Sequence, residues 1–486
     1  MHTLETLPFS NSFATLPAAF YARVQPTPLE KPAKLIHFNT AAAELLNLDP
    51  DVANHPDFAD HFSGMQLLPG MEPIAMLYAG HQFGHYVSQL GDGRAIMLGE
   101  TTNQHGEKWE IQLKGSGQTP WSRDGDGRAV LRSTIREYLC SEALYGLGIP
   151  TTRALCITGS EDEVYREQIE TAAIITRLAP SHVRFGSFEI FFYRNQHGEL
   201  RQLADYVIRQ HYPELLGEAD PYIALLQNVV ERTARLMAQW QAVGFAHGVM
   251  NTDNMSVLGI TLDYGPFGFM EAWDPGFICN HSDHHGLYAF DKQPQRGLFN
   301  LSCFAQALLP LIEVESAKTA LESYQPAFLS HHEQLLAEKL GFERADENIN
   351  RLGAELLAQM AHSRTDYTNL FRALGDIEAA GTTLCNLFID RERFNRWRHD
   401  YLACLQQNTR TGHGWRNRMQ RRNPKYILRN YMAQIAIDKA TGEQDYTEID
   451  RLFRLLQKPF DEHPDMAHYA ATPPDWAKGI QVSCSS

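Results

Sequence analysis

The chain has 486 residues, 43% of them hydrophobic and 21% charged, which is ordinary for a globular protein with one large core or two to three smaller ones. Its 58 acidic residues against 43 Lys and Arg give a formal net charge of −15, which argues against broad electrostatic binding to nucleic acid or anionic membrane. No apolar run reaches about 18 residues, so no membrane span is expected. The opening Met1-His2-Thr3-Leu4-Glu5 lacks the features of a signal or transit peptide, and the expected location is the cytoplasm.

Residues 1–70 are rich in Pro and small polar residues and read as an N-terminal extension, an extended lead-in with one short helix near 40–46. Residues 95–100 and 109–113 read as strands joined by a polar connection over 101–108. The stretch 89–94, Gln-Leu-Gly-Asp-Gly-Arg, reads as a tight glycine turn joining two antiparallel strands. A helix is predicted over 132–144, and further strands over 151–180, including 172–178. Beyond about 185 the apolar spacing turns helical, over 203–211, 222–243, 298–314, 354–362, 366–374 and 427–440. The expectation is an α+β chain with a strand-rich lobe over 71–184 and a helix-rich lobe over 185–486. A ligand would sit between the lobes.

The pentapeptide Gly-Asp-Gly-Arg-Ala occurs at 91–95 and again at 125–129. Backbone N–H groups in such turns can approach phosphate oxygens, because glycine has no Cβ. Gly91, Gly93, Arg94, Asp126 and Gly127 are therefore nucleotide-site candidates, although a plain hairpin turn has the same composition. Lys114 closes the second strand, and Glu137 follows on the predicted helix, an arrangement that suits an ion pair orienting the lysine on phosphates. Two unrelated surface charges would read the same way. Arg177 and Arg184 flank Ala179-Pro180-Ser181-His182 and either clamp phosphate through their planar forks or are ordinary surface arginines.

The most specific stretch is His247-Gly248-Val249-Met250-Asn251-Thr252-Asp253-Asn254, followed by Asp263-Tyr264-Gly265. The spacing is that of a protein-kinase catalytic loop and its metal-binding turn. Asn254 and Asp263 supply the hard oxygen donors that Mg²⁺ prefers. The position of the usual base, however, holds Val249, which accepts no proton. Asp253 is a candidate substitute base, or else a solvated loop carboxylate. Residues 279–285, Cys-Asn-His-Ser-Asp-His-His, offer ligand types but no zinc spacing, and read as a polar loop. Residues 410–430 hold seven Lys or Arg and no acid, and read as a solvated face.

Together these residues resemble the selenoprotein O family, called YdiU in bacteria. The resemblance covers essentially the whole chain. Its most specific blocks are 78–84, 89–94, 125–137, 179–186, 247–268 and the terminal Cys484-Ser485-Ser486. It implies a protein-kinase-like two-lobed fold that transfers AMP from ATP to Ser, Thr or Tyr hydroxyls of other proteins and binds ATP inverted relative to kinases. Carried over by motif, Asp253 is the implied base, and Asn254 and Asp263 the ligands of Mg²⁺ or Mn²⁺. Lys114, Arg177 and Arg184 contact phosphates, Glu137 supports Lys114, and Gly91, Gly93, Arg94, Asp126 and Gly127 line the nucleotide site. Some members are assigned Mn-dependent UMP transfer. In many eukaryotic members the cysteine near the C-terminus is selenocysteine.

The implied partners are protein substrates, among them redox or metabolic proteins, with no nucleic acid or membrane, and the expected state is a monomer. A kinase using Asp253 and a non-catalytic nucleotide-binding scaffold are the alternatives. The seven cysteines form no C-x-x-C pair. The thiol of Cys484, on the terminal tail, is the candidate redox partner of Cys279, which follows the metal turn.

Overall fold

The computed structural model describes residues 1–408 and 414–482. The strands before residue 180 are β1 (Tyr21–Arg23), β2 (Lys34–Phe38), β3 (Ile74–Met76), β4 (Gly80–Gln82), β5 (His85–Val87), β6 (Ala95–Thr102), β7 (Lys108–Lys114), β8 (Ala129–Val130), β9 (Arg153–Tyr165) and β10 (Ile169–Ala179). Eight of them form one antiparallel sheet in the order β1-β3-β6-β7-β10-β9-β2, with β8 paired to β10. β4 and β5 form a separate hairpin.

Side chains alternate across the pleat, and this decides what each face of the sheet becomes. On β7, Ile111 and Leu113 share an apolar cluster with Leu98, Leu155, Leu178, Phe58 and Phe62. Gln112 and Lys114 lie on the opposite face. Register places Arg177 across from Gln112 and Ile175 across from Lys114, so the polar side chains converge on that face. Residues 1–70 were expected as a lead-in with one short helix. That helix is α1 (Thr40–Glu44), but the segment also supplies α2 (Phe58–Ser63) and the strands β1 and β2. Its short apolar clusters cover the outer face of the sheet, a partner that the local sequence pattern did not reveal.

The glycine stretch at 89–94 does not join two adjacent sheet strands. β6 pairs with β3, and the chain between them makes an excursion that carries the β4–β5 hairpin. The glycine stretch is the return leg: Leu90 N donates to Tyr78 O and Asp92 N to Met76 O, both at 2.9 Å.

The predicted helix over 132–144 is α3 (Leu131–Gly146). It is buried on nearly every side, between the sheet and the C-terminal helices Asn430–Gly442 and Thr447–Gln457. Next come α4 (Phe185–Tyr193), α5 (His197–His211) and α6 (Pro221–Val243). α4 is buried on nearly every side, with Ser187 and Glu189 buried among Phe185, Phe188, Ile190 and Phe191, and this lack of a polar face hid it from the sequence reading. α6 starts at Asp220, whose side chain caps Ile223 N, and stops at the left-handed Gly244. The helix expected over 298–314 is α7 (Gln293–Leu308), and Val314 opens the next helix, Val314–Glu322. Pro310 lies in the break, where its ring and missing N–H do not permit helix continuation. The stretch 256–262 makes only isolated bridges, to Thr151, Arg184 and Met255. Among the described residues, no helix is long and apolar enough to cross a membrane.

Candidate functional site

A cleft of about 810 Å³ opens between the inner face of the sheet and the loops that follow α6. Both Gly-Asp-Gly-Arg turns line it, together with Lys114, Arg177, Arg184, Asp253, Asn254 and Asp263. Its wall carries seven cations (Arg94, Lys114, Arg123, Arg128, Arg166, Arg177, Arg184) and five carboxylates (Asp92, Asp124, Asp126, Asp253, Asp263). The cleft is thus locally positive within a chain of net charge −15, as a polyanion site requires.

The charges are tightly cross-linked. Lys114 Nζ lies 2.6 Å from Glu137 Oε2, and Arg177 Nε donates to Glu137 Oε1. Arg177 Nη2 donates to Asp263 Oδ1 at 2.5 Å, and Arg184 Nη1 to Asp263 Oδ2. Lys114 Nζ stands 3.8 Å from Asp263 Oδ1. Asp263 itself has a left-handed backbone, with φ of 58°, so it is held in a conformation that non-glycine residues rarely adopt. Burial and the neighbouring Arg177 push the Lys114 amine down to about 8, against the pull of Glu137 and Asp263. Against its burial, Arg177, Arg184 and Lys114 hold the Asp263 carboxyl well below its ordinary value. Glu137 is likewise held low, against its burial, by Arg177 and Lys114.

Asp253 lies on a short 3-10 turn, Thr252–Asn254. Its Oδ2 accepts from Gln82 Nε2 at 3.1 Å, and its backbone carbonyl accepts from Arg184 Nη1 at 2.6 Å. Asp253 Oδ1 is buried and has no hydrogen-bond partner. Burial pushes the carboxyl up to about 6, with Arg184 opposing. Asn254 Nδ2 donates to Val249 O at 3.0 Å, which leaves the amide oxygen as its ligating end. The oxygen donors of Asn254 and Asp263, beside the orphan oxygen of Asp253, are the chemistry a hard divalent cation takes. His247 packs behind the loop, stacked on Trp240 and bonded through Nε2 to Leu262 O at 2.9 Å.

The two glycine turns are held together by the segment between them: Thr119 Oγ1 donates to Asp92 O at 2.8 Å, and Ser122 Oγ donates to Gly93 O. Gly91, Gly93 and Arg94 line the cleft beside Asp92. The Asp126 carboxylate is taken up by Arg166 at 2.8 and 2.9 Å, so this residue fixes the turn. Cys279 is buried against Ala246 and Gly248 behind the loop, with Sγ 3.4 Å from Ala246 O. Cys484 lies outside the described residues, although the tail reaches the same loop, where His281 N donates to Val482 O at 2.8 Å. Part of the basic stretch 410–430 also lies outside the described residues.

The sequence reading passed over several residues of this site. Gln112 accepts from Arg177 Nη1 at 3.2 Å, and its signal was available: it stands two residues before Lys114, on the same face. Asp92 sits 3.8 Å from Arg184, and the Arg184 guanidinium lies 4.7 Å over the Tyr78 ring. Gln82, Asp92 and Tyr78 all lay within quoted motif blocks, but only the folded excursion between β3 and β6 aims them at the loop.

The family model described as "Protein adenylyltransferase SelO" matches residues 3–457. Proteins described as "Protein nucleotidyltransferase YdiU" match the chain from end to end. The one from Thiobacillus denitrificans is 56% identical over 490 residues, and those from Thioalkalivibrio sulfidiphilus and Myxococcus xanthus are each 54% identical, with all of both chains covered in each case. The expected resemblance is thereby met, and this chain belongs to the selenoprotein O/YdiU family of protein nucleotidyltransferases.

Proposed function

We propose that the protein is an adenylyltransferase that moves AMP from ATP to Ser, Thr or Tyr hydroxyls of protein substrates and releases pyrophosphate. The observation that carries this reading is the Asp253 carboxylate, buried at the cleft with one oxygen unpartnered, beside a Lys–Arg–Arg cage and with Val249 where a kinase keeps its base. The acceptor oxygen attacks the α-phosphorus, its proton passes to Asp253, and the bond from that phosphorus to the bridging oxygen breaks as pyrophosphate leaves. A carboxyl raised to about 6 is largely ionised at neutral pH yet basic enough to take a proton.

Lys114, Arg177 and Arg184 would hold the outer phosphates, in an inverted nucleotide orientation that presents the α-phosphorus to the acceptor. Asn254 and Asp263 would hold Mg²⁺ or Mn²⁺, which when bound neutralises developing phosphate charge. Both Asp263 oxygens already accept from arginines, so for Asp263 to hold the metal at least one guanidinium would have to leave the carboxylate, free to bind phosphate. We read the architecture as a kinase-like pair of lobes, 71–184 and 185–486, preceded by the 1–70 segment, in a cytoplasmic monomer. A disulfide between Cys279 and Cys484 would tie the tail behind the loop. The description of the relatives as nucleotidyltransferases leaves the nucleobase open, so Mn-dependent UMP transfer is the second reading.

ATP labelled at the α-phosphorus is expected to mark an acceptor protein, with Asp253→Ala and Asp263→Ala both silent. Label arriving only from the γ-phosphorus would make the protein a kinase. No transfer from ATP or UTP, with cellular function intact in both variants, would make it a scaffold.

A further inference from the structure

Glu189 lies on α4 and is completely buried, outside the phosphate cage. A buried carboxylate must be paired, and here both oxygens are used. Oε1 accepts from His81 Nδ1 at 2.5 Å, and Oε2 accepts from the Thr252 hydroxyl. Thr252 Oγ1 in turn accepts from the backbone N of His81 at 2.7 Å. The hydroxyl is therefore gripped from two sides, one of them α4 and the other β4. Asp253 is the next residue, and Gln82, next after His81, donates to its Oδ2. β4 also lies flat against the turn: a Cβ on Gly80 would fall 2.8 Å from Asp253 Oδ1 and 2.9 Å from Thr252 Oγ1.

Resting on the reading of Asp253 as the base, we propose that Glu189, acting through Thr252 and His81, is the positioning residue for Asp253. The three-residue turn that carries the base closes with two backbone bonds, Asn254 N to Asn251 O and Met255 N to Thr252 O, and neither holds the Asp253 side chain, where a misplacement of about 1 Å costs roughly a hundredfold in rate. The Glu189–Thr252–His81 chain supplies the missing constraint and couples the turn to a packed helix.

The same group also raises a metal site, since donor atoms of His81, Glu189 and Cys303 lie within 4.8 Å of one another. The hydrogen bonds favour positioning over metal, because both carboxylate oxygens already have proton donors.

The test is steady-state label transfer from α-labelled ATP to a hydroxyl-bearing acceptor protein, with ATP affinity and thermal melting measured in parallel on the full chain. Thr252→Val keeps the shape and removes the hydroxyl. It is expected to lower kcat about ten- to a hundredfold while leaving ATP affinity near wild type, with a lower melting temperature because Glu189 Oε2 loses its donor. Thr252→Ser is expected to recover most of the rate. Glu189→Gln reads the same link should Thr252→Val not fold. Equal kcat for the Val and Ser variants, with Asp253→Ala inactive, overturns the positioning role alone. Full transfer by Asp253→Ala overturns the base assignment and this proposal with it. Stoichiometric metal in the purified protein that is lost in both Glu189→Gln and Cys303→Ser replaces positioning with a metal site.

Discussion

Glu137 bonds two cations at once, Lys114 through one oxygen and Arg177 through the other. All three side chains are buried, so the carboxylate is the counter-charge that makes the cage possible. Removing one member of such a buried network leaves uncompensated charge, which is strongly destabilising. Glu137→Gln is therefore expected to lower unfolding free energy by about 3 kcal/mol, measured by denaturant titration, and to weaken ATP binding. The Lys114–Glu137 pair was legible in the sequence, because a strand-end lysine and a helix glutamate in that order form a local pattern. That Arg177 would share the same carboxylate was not legible, since it depends on the β7–β10 register.

The turns repeat a pentapeptide but are supported differently. Gly127 has φ of 69°, and a Cβ there would fall 2.0 Å from Gly117 O, backbone against backbone. Gly106 has a similar φ of 78° with open space around it. Gly106→Ala should thus cost only the left-handed strain, about 1 kcal/mol. Gly127→Ala should cost at least about 2 kcal/mol more, and should also weaken nucleotide affinity, because Asp126 and Arg128 move with the turn. Paired melting curves and ATP titrations of the two variants check this. At this scale the sequence showed eight of the sixteen α-helices among the described residues and the central strands, whose periodicity is local. Among those it missed is α4, which is buried all round, and it misread 89–94, whose partner lies across an excursion of the chain.

Across the molecule, the C-terminal helices close back on α3, and the 1–70 segment covers the far face of the sheet. A separate helical cluster lies toward the C-terminus, and within it Lys339 is buried beneath the rings of Tyr367 and Phe371, with Nζ at 5.1 and 4.4 Å from their centroids. Burial pushes this amine down to about 7 from its ordinary 10.5. The folded state therefore disfavours the ammonium that the unfolded chain carries. Stability lost to this residue grows as pH falls from about 10 to about 7 and then levels off. Lys339→Met is expected to stabilise the protein by about 2–4 kcal/mol at pH 7 and by little near pH 10.5, as read from unfolding curves at the two pH values.

The sequence by itself determined the family, the order of strand-rich and helix-rich parts, and the spacing of Lys114, Glu137, Asn254 and Asp263. Those follow from short-range patterns of residue type. Only the tertiary structure decided that Asp263 is caged by two arginines, that Asp253 keeps a buried oxygen free, and that His81 and Glu189 grip the turn beside it. Each of these rests on strand register or on helix packing between segments tens to hundreds of residues apart, where burial and pairing energies rather than local propensity select the partner.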